Sequence, residues 1–269
     1  MQANRPYLPS ADRMGVLMAS VLLTFALTRL INSPRLTLTI ALPGFYFAYP
    51  LTLGTGMTIL AALLSATGMN WLTSDPSAKK TKTKHLMLPT LTTVVLGAFL
   101  ALLPNGLAWW VGLAFSAILL VGVFIAEHIT IDPSAPMYGF ARAGLTALAY
   151  ALFLITATAL RFSGMRMFLL VPIIFVVSGL ISLRILHLDG TNRWDFPWAT
   201  GIGIVCMQIG AGLHYWQLTP LQFGIALTGV IYALTMLSTS LAENVPVQRA
   251  AIAPAFVICI AWVSAIFLR

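Results

Sequence analysis

Charge is what this sequence has least of. Asp, Glu, Lys and Arg together make 8% of its 269 residues, against about 25% in soluble domains. With 59% hydrophobic residues and a mean hydropathy of +0.92, the chain carries more apolar surface than one globular core can hide, which excludes an ordinary water-soluble fold. Cysteine is nearly absent as well. Cys206 and Cys259 both lie inside apolar runs, so neither a disulfide framework nor a thiolate metal cluster is implied. Acids number 7 against 15 bases, a formal charge of +8. The bases sit at the ends of apolar runs and form no stripe interleaved with exposed aromatics. That pattern points to lipid head groups as partners and away from nucleic acid.

What is present is a series of apolar runs of the 17 to 25 residues or so that a helix needs to cross a hydrocarbon core of about 30 Å. They fall at 14–32, 54–72, 86–103, 107–126, 140–160, 167–186, 196–215, 220–241 and 250–268. The predicted fold class is therefore an all-α integral membrane protein, a polytopic bundle of about nine transmembrane helices forming one domain over 1–269. Arg13 and Arg29 bracket the first run only about 24 Å apart, so both must snorkel to opposite interfaces. No small-x-small cleavage site follows that run, and it reads as a retained helix.

The insert at 35–53 differs from the rest. Leu36, Leu38 and Ile40 alternate with Thr37 and Thr39, Pro43-Gly44 supplies a turn, and Phe45, Phe47 and Tyr49 alternate again. Period two with β-branched and aromatic residues predicts a short outer β-hairpin or extended segment after the first helix. A tenth helix is the competing reading, and Pro43, Gly44 and Pro50 oppose it.

Topology rests on the Lys-rich loop 73–85, which carries Lys79, Lys80, Lys82 and Lys84 and belongs on the cytoplasmic side. Nine spans then put the N-terminus in the cytoplasm and the C-terminus outside, in a plasma (inner) membrane. All seven acids fall inside on this reading, while Arg29, Arg35, Arg161, Arg166 and Arg269 face out without a carboxylate. Arg161 and Arg166 are thus candidate ligand-binding residues for an anionic head group.

The densest polar stretch is HLDGTNRWDFPW, 187–198. Asp189-Gly190 is a turn dipeptide, Asp195 precedes Pro197 as at a helix start, and Trp194 and Trp198 suit an interfacial belt. Read as chemistry, Asp189, Arg193 and Asp195 form an acid-base-acid set that could hold a phosphate-metal group. The loop departs from the CDP-alcohol phosphotransferase pattern, however. DGTNR is one residue short, Leu186 replaces the leading aspartate, and no downstream aspartate pair follows. Glu127 and His128 form a second weak catalytic pair. The histidines lack the short spacing of zinc ligands, so no metal or cofactor is expected.

Polar residues at membrane depth are functional suspects. Gln208 is the clearest, a candidate ligand contact for a carrier. Ala199, Gly203, Cys206 and Gly210, at spacings of four, three and four, align a small-residue face on the seventh helix that could pack inside the bundle, meet a membrane-protein partner or form a homo-oligomer. The leading functional expectation is a noncatalytic lipid-binding or complex-forming membrane component. A carrier for a small or amphipathic solute and an inner-face lipid head-group enzyme are the alternatives.

Overall fold

The computed structural model describes residues 10–31, 36–42, 45–72, 84–132, 135–189 and 195–268. It is a helical polytopic bundle. Each apolar run forms a helix: α1 (Ala11–Leu30), α2 (Leu53–Leu72), α3 (Met87–Leu102), α4 (Leu107–Ile129), α5 (Tyr138–Phe162), α6 (Met167–Asp189), α7 (Phe196–His214), α8 (Pro220–Ala242), and a last run divided into α9 (Val247–Ala250) and α10 (Ile252–Phe267). The division has a cause in the sequence. Pro254 brings no N–H for the carbonyl of Ala250 and its ring crowds that carbonyl, so the helix resets at Ala251.

Among the described residues, seven helices are long and apolar enough to cross a membrane: α1, α4, α5, α6, α7, α8, and α9 with α10 taken together. α2 is not among them, diluted by Thr55, Thr58, Ser65, Thr67 and Asn70. α3, with 16 residues, reaches only about 24 Å.

Between α1 and α2 two strands, β1 (Leu36–Leu42) and β2 (Phe45–Leu51), pair antiparallel with Leu42 opposite Phe45 and Leu36 opposite Leu51. Pro43 and Gly44 lie outside the described residues, as do 73–83 of the lysine loop and 190–194 with Arg193.

Contacts divide the chain into two compact units, Met1–Ala141 and Arg142–Arg269. In the first, α1 packs on α2 and α4, α2 on α3, and α3 on α4, closing a four-helix ring. Its core holds Val21 and Phe25 of α1, Met69 of α2, Leu96 and Leu100 of α3, and Trp109, Leu120 and Phe124 of α4. Gly97 admits the Phe25 ring, which lies 3.1 Å from where a Cβ would stand. Arginines tie the ends. Arg13 donates to the Trp71 carbonyl (3.5 Å) with its guanidinium 5.4 Å from the Trp71 ring. Arg29 donates to the Leu103 carbonyl (2.7 Å) and to Asn105, and lies 5.4 Å from the Trp109 ring. The start of α1 therefore meets the end of α2, and the end of α1 meets the α3–α4 turn, so the four helices alternate in direction.

In the second unit α6 packs on α7, α8 on α10, and α8 also on α6 and α7. Short turns enforce antiparallel neighbours. Gly164 (φ 63°) follows α5, and α8 ends in a Schellman turn: Asn244 (φ 61°) donates to the Leu241 carbonyl (3.1 Å) and Val245 to that of Ser240 (3.2 Å). α8 starts with a capping box between Thr219 and Gln222. α5 reaches α8 where Gly224 lies against Thr158 and Leu154, and Tyr150 shares a 2.6 Å hydrogen bond with Thr235.

The small face of α7 is used inside this unit. Ala199, Gly203, Cys206 and Gly210 are buried, and a Cβ at Gly203 would stand 3.1 Å from the Phe175 ring and 3.2 Å from its carbonyl. Gly203→Ala is expected to force α6 and α7 apart and cost about 1–3 kcal/mol, as overpacking does. Gly144→Ala in α5, where a Cβ meets nothing within 4 Å, is expected to be neutral or slightly stabilising. Thermal unfolding in mild detergent checks both, and equal melting temperatures for the two variants would contradict the packing described.

Candidate functional site

The polar chemistry of the first unit gathers at the end where α3 begins and α4 finishes. His85 sits in a single 3-10 turn, Lys84–Leu86, directly before α3. Glu127 lies in the last turn of α4 with no exposed side-chain surface. His85 Nδ1 and Glu127 Oε2 are 3.0 Å apart. A carboxyl withdrawn this far from water needs hydrogen-bond partners to remain there, and the histidine supplies one. The structure brings Glu127 together with His85, while the expected pair Glu127 and His128 stand next to each other in the last turn of α4. The two lie 42 residues apart in sequence but at similar distances from the α3–α4 turn, a mirror relation that the helical hairpin creates.

In the second unit Asp189 is the last residue of α6, and its side chain and Arg193 are outside the described residues. Asp195 takes the N-cap position of α7 ahead of Pro197, as its sequence context suggests, although its side chain makes no capping hydrogen bond. Among the described residues, no group of three or more His, Cys, Asp or Glu is placed to hold a metal ion.

At the opposite end of this unit, Arg161 of α5 directs its guanidinium at the end of α7. Nη1 donates to the His214 carbonyl (3.0 Å) and lies 3.2 Å from His214 Nδ1, while Nη2 donates to the Trp216 carbonyl (3.1 Å). The fork expected for a phosphate is thus turned to backbone carbonyls. Arg166 is exposed, and its own carbonyl starts α6. Gln222 bridges two elements: it completes the α8 capping box and donates from Nε2 to the Leu268 carbonyl (3.3 Å). Trp109 is buried at 3% exposure beneath Arg29.

A groove of about 400 Å³ opens sideways between α5, α8 and α10. Tyr150, Ile225, Thr228, Tyr232, Val257 and Ile260 line it, with Ser264 nearby on α10. These helices are long and apolar enough to span a membrane, and the lining falls along their middle turns. Three of its four hydroxyls are already engaged, the fourth being that of Tyr232. Thr228 donates to the Gly224 carbonyl (2.7 Å), Ser264 to that of Ala261 (2.9 Å), and Tyr150 pairs with Thr235. What remains for an occupant is methyl, methylene and ring surface, with the Tyr232 hydroxyl as one polar point. Such a lining accepts an aliphatic chain better than a polar solute. Sequence reading missed this groove because its lining residues are spread over three helices and are individually ordinary.

Gln208, the residue expected to mark a solute path, lies on the exposed side of α7 and does not line the groove.

Replacing His85 with Phe keeps ring volume but takes away one hydrogen-bond partner of Glu127. It is expected to lower stability by about 1–3 kcal/mol, the range for removing a hydrogen-bond partner from a buried polar group. Glu127→Gln, which can still accept a hydrogen bond, is expected to cost less than Glu127→Leu. Thermal unfolding of the three variants in one detergent checks the order, and no loss for His85→Phe would show that the contact contributes nothing.

Comparison with known proteins adds a family. No curated protein and no solved structure matches the chain. Residues 33–268, from just before the hairpin to the end of the last helix, match the family described as "Protein of unknown function (DUF5656)". With nearly its whole length covered, from the paired strands through α10, the chain belongs to the DUF5656 family.

Proposed function

We propose that the chain is a nine-span component of the plasma membrane, noncatalytic, that binds the apolar chains of membrane lipids. The observation that carries this reading is the open groove between α5, α8 and α10, lined at the middle turns of helices long and apolar enough to cross a membrane, with the hydroxyls of Tyr150, Thr228 and Ser264 engaged internally. Its volume of about 400 Å³ lies within the range of about 300–1,000 Å³ usual for small-ligand sites. The polar contacts at the helix ends support the noncatalytic part, because Arg13, Arg29, Arg161 and Gln222 each join one element to another. α2 and α3 complete the nine spans as alternating members of the first ring. The lysine loop 73–85 then lies in the cytoplasm with the N-terminus, and the hairpin and the C-terminus lie outside.

Native mass spectrometry after mild extraction tests the lipid reading. The parent protein is expected to retain discrete lipid masses, and Ile225→Trp, which fills the groove, is expected to lose most of them while keeping its melting temperature. A parent protein that emerges lipid-free would overturn the reading.

Topology is tested separately with Ser77→Cys, in a background where Cys259 is replaced by Ser. A membrane-impermeant maleimide is expected to label this position only after the inner face is opened. Labelling of intact cells would invert the orientation.

A further inference from the structure

α7 has a second face. Gly201, Ile204, Gln208 and Gly212, at spacings of three, four and four, are exposed on the side away from the buried Gly203, Cys206 and Gly210. A Cβ at Gly201 or at Gly212 would meet nothing within 4 Å. α7 is among the helices long and apolar enough to cross a membrane, and Gln208 lies three residues from its midpoint, about 4.5 Å along the axis. The Gln208 amide, with two donors and an acceptor, is thus at lipid depth, and it finds no hydrogen-bond partner among the described residues. Hydrocarbon offers an amide nothing to bond, so a glutamine there is costly unless another helix brings a polar group to it.

We propose that this outer face of α7 binds a second copy of the chain, with Gln208 of each copy hydrogen-bonded to Gln208 of the other. The choice of occupant follows from the amide itself. A primary amide is self-complementary: across a two-fold axis each Nε2–H can donate to the opposite Oε1, so one residue type satisfies both partners, as an isologous interface requires. Gly201 and Gly212 flank Gln208 on the same side and let two backbones approach closely. The face differs from the small-residue stripe that packs on α6. The proposal rests on the membrane reading above but not on the lipid groove, which α5, α8 and α10 form.

The test uses the full-length protein in its native membranes. With Cys259 replaced by Ser, Ile204→Cys and Gly212→Cys are each expected to give a disulfide-linked dimer on mild oxidation. The otherwise unmodified protein, whose exposed Cys259 lies on α10, is expected to give none. In vesicles of increasing lipid dilution, energy transfer between labelled copies is expected to show that Gln208→Leu weakens association about three- to fifteenfold, from the strength of such bonds between membrane helices, while Gln208→Asn keeps part of it. Three results would overturn the proposal: a parent protein that is monomeric in vesicles, a Gln208→Leu variant that associates as tightly as the parent, or cross-links from Ile204→Cys to a different protein without a self-product. Ready labelling of Ile204→Cys by a water-soluble maleimide in intact membranes would instead place this face in water, removing the membrane placement of α7 and the proposal together.

Discussion

The carbonyls at the C-terminus of a helix are the constraint on which this structure depends. The last four have no intrahelical N–H to accept, and near a bilayer there is little else to accept from. Three arginines answer it in one way. Arg13 of α1 reaches the Trp71 carbonyl in the last turn of α2, Arg29 of α1 reaches Leu103 just past α3, and Arg161 of α5 reaches His214 and Trp216 at the end of α7. In each case the cation comes from another helix and meets the negative end of the recipient's dipole, so one contact caps a helix and fixes its neighbour. Lysine could not do this equally, because the Arg161 fork spans two carbonyls at once.

Once the ends are fixed, the interior closes by close approach rather than by more polar contacts. Glycines stand where a neighbour must come near: Gly97 beneath Phe25 in the first unit, and Gly203 against Phe175 and Gly224 against Leu154 in the second. Buried hydroxyls such as Thr92, Thr93 and Ser116 bond to carbonyls one turn back on their own helices. This leaves the helix flanks free to be apolar. The groove of α5, α8 and α10 is one product of that economy, since Thr228 and Ser264 in its lining turn their hydroxyls to their own backbone.

Much of the architecture is legible in the sequence. The run 107–126 becomes Leu107–Ile129, 196–215 becomes Phe196–His214, and 220–241 becomes Pro220–Ala242, because apolar length alone determines where such helices lie. Period-two alternation around Pro43-Gly44 separates the paired strands from the helices. Arg13 and Arg29 are legible as anchors, but the carbonyls they hold are not, since these belong to residues chosen by three-dimensional neighbourhood. The same reason hides the Glu127–His85 pair: 42 residues separate the two in the chain, and only the antiparallel packing of α3 and α4 brings the start of one to the end of the other. Nothing in composition marks the division near residue 141, because it falls at the start of the apolar run 140–160 and not in a polar linker.

The two faces of α7 show where sequence spacing stops being informative. A stripe of small residues recurs on both sides of this helix, Gly203 and Gly210 on one, Gly201 and Gly212 on the other. Spacing cannot say which stripe a neighbour takes. What separates them is the company each keeps: the first sits among buried residues beneath Phe175 and Ile174, while the second carries Gln208 and open space at both glycines. Several polar groups elsewhere in the bundle hold it together, among them Arg161 on α7, Gln222 on Leu268 and His85 on Glu127. A glutamine in mid-helix that serves none of these ends stands apart from that economy, and its amide suits a partner that meets it from outside the chain.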